Sequence, residues 1–112
     1  MSRGEVWRVE LDPTRGSEIT KARPCVVVSS DNLGAHPLKV IVPLTNWKQE
    51  HEAFFWMVRI DPDDRNGLTK VSSADAHQIR AVDKQRFLDP MGAITEQQFS
   101  DILGAVRYVL DF

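Results

Sequence analysis

Two residues at strand boundaries are the first that could do chemistry. Arg23 precedes Pro24, which biases it towards an extended backbone. It also closes a glycine-containing loop just as an apolar run begins. A guanidinium in that place can present a bidentate fork to a phosphate while the strand fixes its base. It can equally be an ordinary strand-end surface arginine. Thr45 ends the segment Val40–Leu44 inside Pro43-Leu44-Thr45-Asn46-Trp47. Its hydroxyl can donate to a phosphate oxygen, although threonine is also a common strand-terminal residue.

Around these two lie further candidates. Trp47 can stack on an unpaired base, a contact worth about 1–3 kcal/mol, or cover an open end of the fold. Gln78 can read a base edge, and Arg80 or Arg86 can meet phosphate; a sheet surface laced with salt bridges is the simpler account of that segment. His36, His51 and His77 are far apart, and Asp61, Asp63 and Asp64 lack a calcium-loop frame. The sequence therefore predicts neither metal nor cofactor. Gly16 stands alone with no phosphate-loop Gly-Lys-Ser/Thr after it. Cys25, the single cysteine, sits in Cys25-Val26-Val27-Val28 and reads as a small buried hydrophobe.

These residues must be positioned by a modest framework. The chain has 112 residues and 42% hydrophobic content, which predicts one domain over 1–112. Its net charge of −2 and pI of about 5.9 argue against a generic nucleic-acid coat protein. The charge is uneven. Arg15, Lys21, Arg23, Lys39 and Lys48 face only Glu18 and Asp31 between residues 15 and 48, and an enzyme that grips a few phosphates needs only such a local patch. No apolar leader or bilayer-length run is visible, so a soluble cytoplasmic protein is expected.

Glu5–Leu11 alternates as a half-buried strand with Trp7, Val9 and Leu11 on one face. Asp12–Ala22 is a long loop of the kind that often carries function. Pro24–Ser30, Leu38–Leu44 and Phe54–Ile60 read as strands, with shorter ones at Thr69–Ser73 and His77–Ala81, and Asp89–Gly92 as a turn. Phe54, Phe55 and Trp56 exceed one small core and predict an exposed apolar patch. Thr95 and Gln98 form a capping box for a final helix whose apolar stripe is Phe99, Ile102, Leu103, Val106 and Leu110. Together these predict a mainly β (α+β) fold: a small, partly open barrel with the helix packed on it.

Five stretches, in order, carry a resemblance. They are Arg3-Gly4-Glu5-Val6-Trp7, Leu11-Asp12-Pro13-Thr14-Arg15-Gly16-Ser17-Glu18, Arg23-Pro24-Cys25-Val26-Val27-Val28-Ser29, Val42-Pro43-Leu44-Thr45 and Gln78-Ile79-Arg80-Ala81-Val82-Asp83-Lys84-Gln85-Arg86. The chain resembles the PemK/MazF family of toxin endoribonucleases over nearly its whole length. That resemblance implies an SH3-like barrel and a homodimer with single-stranded RNA in the groove between subunits. It also implies neutralisation by a cognate antitoxin and metal-independent cleavage of mRNA. The family's catalytic arginine falls on Arg23 and its catalytic threonine on Thr45. Arg15, Gly16, Ser17, Glu18 and Lys21 fall in or beside the family's mobile first loop, and Gln78 falls near the substrate groove, with Trp47 and Arg80 as further RNA contacts. Ile19 and Lys21 stand where many members have Gln and Gly, a departure that bears on substrate preference and makes the loop stiffer. The same barrel also occurs in toxins that poison gyrase, and a non-catalytic RNA- or protein-binding module is a third reading.

Overall fold

The computed structural model describes residues 1–112. Seven strands form one curled antiparallel sheet: β1 (Glu5–Glu10), β2 (Ala22–Val27), β3 (Leu38–Asn46), β4 (Met57–Ile60), β5 (Ser72–Asp75), β6 (Arg80–Asp83) and β7 (Phe87–Ala93). The order is β4-β5-β3-β2-β1-β7, with β6 also on β3. β4 and β7 do not meet, so the barrel stays partly open.

β3 is the spine. Leu38–Ile41 pair with Asp83–Arg80 of β6, Ile41–Pro43 with Val27–Cys25 of β2, and Leu44–Asn46 with Ala74–Ser72 of β5. Strand alternation sends its side chains to opposite faces. Val42 and Leu44 join Val6, Val26, Ile60 and Ala74 in a core closed by the helix through Ile102, Ala105 and Val106. Ile41 faces the other way, into a smaller core of Val9, Leu11, Cys25, Val27 and Val82. Each such side chain contributes about 1.5–3 kcal/mol when fully buried.

The helix, α1 (Glu96–Leu110), begins at the expected capping box. Thr95 Oγ1 accepts from Gln98 N at 3.1 Å and Gln98 Oε1 accepts from Thr95 N at 2.9 Å. The stripe shifts at its end: Val109 packs inward while Leu110 is exposed. No helix is long and apolar enough to cross a membrane.

Several element bounds differ from the sequence reading. β2 starts at Ala22, so Arg23 lies within the strand. Residues Gln49–Ala53 form a 3₁₀ turn, and only Met57–Ile60 of the expected Phe54–Ile60 strand is ladder-paired. Asp75 ends β5 by accepting from His77 N at 3.0 Å, which turns Ala76–Gln78 into a 3₁₀ turn where a strand was expected over His77–Ala81. Asp89–Gly92 is no turn but the middle of β7. Pro90 is tolerated there because β7 is an edge strand, which leaves one side of its backbone without a ladder partner. Gly92 and Gly67 let β7 lie against the turn after β4: a Cβ on either would come within 2.0–2.2 Å of a carbonyl oxygen, of Arg65 or Met91 respectively.

Candidate active site

The sheet face opposite the helix-side core carries the polar groups. Thr45 on β3 is directly opposite Ser73 on β5, and Ser73 is in turn opposite Arg59 on β4. On the other flank the β2–β3 ladder runs Val27↔Ile41, Val26↔Val42, Cys25↔Pro43. The paired register ends there; Arg23 and Thr45 are each two residues beyond its last pair, at the same end of the two strands. A row Thr45–Ser73–Arg59 thus crosses three strands, two hydroxyls and a cation, with Arg23 on β2 beyond the β2–β3 ladder.

Arg23 is half-buried, and its Nε donates to Thr20 O at 3.2 Å. That bond sets the angle of the guanidinium and leaves its two terminal nitrogens without a protein partner. Thr45 is also half-buried, and its hydroxyl has no hydrogen bond within the protein. Ser73 is fully buried, with Oγ 2.7 Å from His51 Nδ1. The Arg59 guanidinium lies 4.5 Å from the Trp47 ring centroid and its Nε donates to Asp61 at 2.9 Å. One face of Trp47 is therefore covered by a cation.

Beside this row is a groove of about 520 Å³ lined by Leu11, Ser17, Glu18, Ile19, Pro43 and the run His77–Arg80. Pro43, two residues before Thr45 on the same side of β3, joins the groove to the row. Ser17, Glu18, Gln78 and Arg80, four of the RNA contacts expected from sequence, are among its lining residues. Arg15, Gly16, Lys21 and Trp47 do not, and neither do Arg23 and Thr45, which occupy the adjoining sheet face.

The Asp12–Lys21 loop makes one wall and is tied down at several points. Leu11 N donates to Lys21 O at 2.9 Å across its base. Glu18 accepts from Arg15 N at 2.6 Å. Gln78 Oε1 accepts from Ile19 N at 2.7 Å and its Nε2 donates to Ser17 O at 3.2 Å. Arg80 donates to Leu11 O at 3.3 Å, and Arg86 donates to the carbonyls of Glu10 and Asp12. The amide of Gln78 is thus engaged with the loop in this conformation. Lys21 has φ +69°, a left-handed backbone that glycine adopts freely and other residues do not.

Of the three displaced titrating groups, Glu5 lies elsewhere on β1 and two bear on this region. Burial pushes the Asp75 carboxyl above its ordinary value, opposed by the His77 amide, the His77 and His51 rings and the Gln78 side chain. Burial likewise drives the Cys25 thiol up to about 12, only partly countered by Arg80 and by the Leu44 backbone. Cys25 is a core residue, inert as a nucleophile. No three His, Cys, Asp or Glu side chains converge as a metal-ligating group.

The sequence reading did not single out Ser73, Asp75 or Arg59. Each lies on a strand whose bounds it misplaced, so the period-2 signal that would have put them on one face was lost.

A curled, partly open antiparallel barrel with a C-terminal helix, carrying guanidinium and hydroxyl groups on one face, defines a small SH3-like barrel protein. The family profile of PemK-like, MazF-like toxins of type II toxin–antitoxin systems matches residues 2–110. The chain is 33% identical over 117 residues to the endoribonuclease MazF9 of Mycobacterium tuberculosis, covering 99% of this chain and 97% of that one. It belongs to the PemK/MazF toxin family. Solved structures share the fold: MazF from Deinococcus radiodurans superposes with a TM-score of 0.82 at 19% identity, covering 100% of this chain and 97% of that one. A mycobacterial endoribonuclease in complex with its cognate antitoxin gives 0.76 at 24% identity, covering 100% and 96%.

Proposed function

We propose that the chain is a toxin endoribonuclease that cuts single-stranded RNA at Arg23 and Thr45, without metal or cofactor. The observation that supports the reading is that Arg23 and Thr45, on neighbouring strands just beyond the Cys25↔Pro43 pair, both keep side-chain polar atoms without a protein partner. RNA supplies its own nucleophile: the 2′-hydroxyl attacks the adjacent phosphorus and expels the 5′-oxygen. The products are a 2′,3′-cyclic phosphate (or its 3′-phosphate) and a 5′-hydroxyl. What the protein must add is stabilisation of the charge building on the phosphoryl oxygens. Donors already fixed in place do this without reorganising. Arg23 serves as the fixed cation and Thr45 as the helping donor.

The groove lined by Ser17, Glu18, Gln78 and Arg80 holds the flanking nucleotides, and Arg15, Gly16, Lys21 and Trp47 are further RNA contacts outside it. A cognate antitoxin neutralises the enzyme, which acts as a homodimer in the cytoplasm, where its mRNA substrate is found. Of Phe54, Phe55 and Trp56, from which the sequence predicts an apolar patch, only Phe55 is well exposed; it meets the exposed Tyr108 edge to face at 5.5 Å, while Phe54 and Trp56 are partly buried.

The test is incubation of the purified protein with a long mixed-sequence RNA in EDTA, with the cleavage ends mapped. Discrete cuts bearing 5′-hydroxyl ends are expected. Arg23→Ala should lose about 10²–10³-fold in rate, the usual cost of removing one such donor, with fold and oligomeric state unchanged. A folded Arg23→Ala protein of full activity overturns the site assignment, and activity that returns only with Mg²⁺ overturns the mechanism.

A further inference from the structure

The row Thr45–Ser73–Arg59 ends on a cation that the cleavage chemistry leaves unused. Register puts Thr45 on β3 opposite Ser73 on β5, and Ser73 opposite Arg59 on β4. Directly opposed residues point to the same face of a sheet, so Arg59 shares the face of the Thr45 hydroxyl. Two strand spacings separate them, about 10 Å between backbones.

Trp47 holds that cation in place. It lies two residues after Thr45, and its backbone N–H donates to Val71 O at 3.0 Å, continuing the β3–β5 pairing past Asn46↔Ser72 and keeping the indole on the Thr45 face. From there the indole reaches across β5, and the Arg59 guanidinium lies 4.5 Å from its ring centroid. Asp61 takes only the Arg59 Nε, at 2.9 Å, and both side chains of this pair are half exposed or more. Such an exposed pair is weak. The two terminal nitrogens of Arg59 donate to nothing within the protein. A guanidinium fixed on one face and one edge, with its fork free, is suited to a phosphate. Pro43, at the edge of the groove, is two residues before Thr45, and Trp47 is two after it. The groove and the Arg59–Trp47 pair therefore lie on opposite sides of Thr45.

We propose that Arg59, positioned by Trp47, binds a second phosphate of the RNA, one to three nucleotides from the bond that is cut; this rests on the ribonuclease reading above. Successive phosphates of one duplex strand advance about 3.4 Å along its axis, and those of an unstacked strand lie further apart. A span of about 10 Å between backbones thus takes no more than about three nucleotides. The groove holds nucleotides on one side of the cut, and Arg59 holds a phosphate on the other. Trp47's part in that contact is to position the guanidinium.

The test uses one RNA that the wild type cuts, 2′-O-methylated at the cut so that it binds without reacting. Its affinity is measured against salt, and again with a neutral methylphosphonate replacing one phosphate at a time. In wild type, one position within about three nucleotides of the cut should lose about tenfold in affinity on replacement, as befits a lost charged hydrogen bond. Arg59→Gln should bind the unmodified RNA about tenfold more weakly, with the salt dependence of log K reduced by about 0.7. It should no longer sense replacement at that position. Arg59→Lys keeps the charge and should keep the salt slope and the sensing, at reduced affinity. Trp47→Leu should bind more weakly with the slope unchanged. Thermal unfolding of the Arg59 variants should match wild type, since the side chain is half exposed on an edge strand. An Arg59→Gln protein that binds like wild type overturns the assignment and leaves the ribonuclease reading intact. Weaker binding that still senses every replacement marks a structural loss and also overturns it. Wild type that neither binds nor cuts any RNA overturns both.

Discussion

The side-chain oxygen of Gln78 accepts from the backbone N–H of Ile19 at 2.7 Å, joining the turn after β5 to the far wall of the groove. With the bond from Gln78 Nε2 to Ser17 O, it makes the loop a fastened element rather than a free one. Removing both loop bonds with Gln78→Ala should cost about 1–3 kcal/mol of local closure, at about 0.5–1.5 kcal/mol per bond. Hydrogen exchange at the Ile19 amide should then speed up by roughly tenfold, with little change at the core strands. Unchanged exchange at Ile19 would show that the loop closes by other contacts.

Lys21 spends its backbone in the left-handed region, where a non-glycine residue carries roughly 1–2 kcal/mol of strain. Lys21→Gly should relieve it, less the 0.4–1 kcal/mol that a freer unfolded chain costs. The melting temperature should rise by a few degrees. If the Lys21 ammonium meets a phosphate, the same variant should bind RNA more weakly, with the salt dependence of log K reduced by about 0.7. A lower melting temperature would contradict the strain assignment.

Cys25, with its thiol pushed up to about 12 and no exposed surface, should stay unmodified by iodoacetamide at pH 8 until the protein unfolds. Cys25→Ala should cut RNA at near wild-type rate while losing some stability. Inactivation by alkylation of the folded protein would count against both statements.

Much of this architecture can be read along the chain. The helix start is fixed by two side chains three residues apart, and β1 to β3 are written in long alternating or β-branched runs. β5 is not. Ser72-Ser73-Ala74-Asp75 has no β-branched residue, and its strand state comes from burial between β3 and β4, where tertiary packing overrides propensity. Arg23 and Thr45 are each visible as strand residues beside turns. That they lie at the same end of neighbouring strands depends on the β2–β3 register, which no local pattern encodes. His77 is likewise an ordinary histidine until Asp75 caps the turn that carries it into the groove.

Asp75 gives a stability test. Its folded-state pKa is raised above the ordinary 3.8, so the folded protein binds this proton more tightly than the unfolded chain. The stabilisation is complete below pH 3.8 and is lost as pH rises through the folded value. Asp75→Asn cannot lose it, so urea titrations should show the variant gaining on wild type between acidic and neutral pH. A constant difference across that range would mean the carboxyl is not displaced.

Since β3 pairs with one strand made before it and two made after it, the order of synthesis matters. Thr45 emerges while Ser73 and Arg80 are still to be added, and the outer edge of β1 waits for β7 near the end of the chain. The row Thr45–Ser73–Arg59 therefore cannot exist on a half-made polypeptide. A ribosome making this protein is not exposed to the finished face on its own growing product; that face assembles only when nearly all of the message has been read.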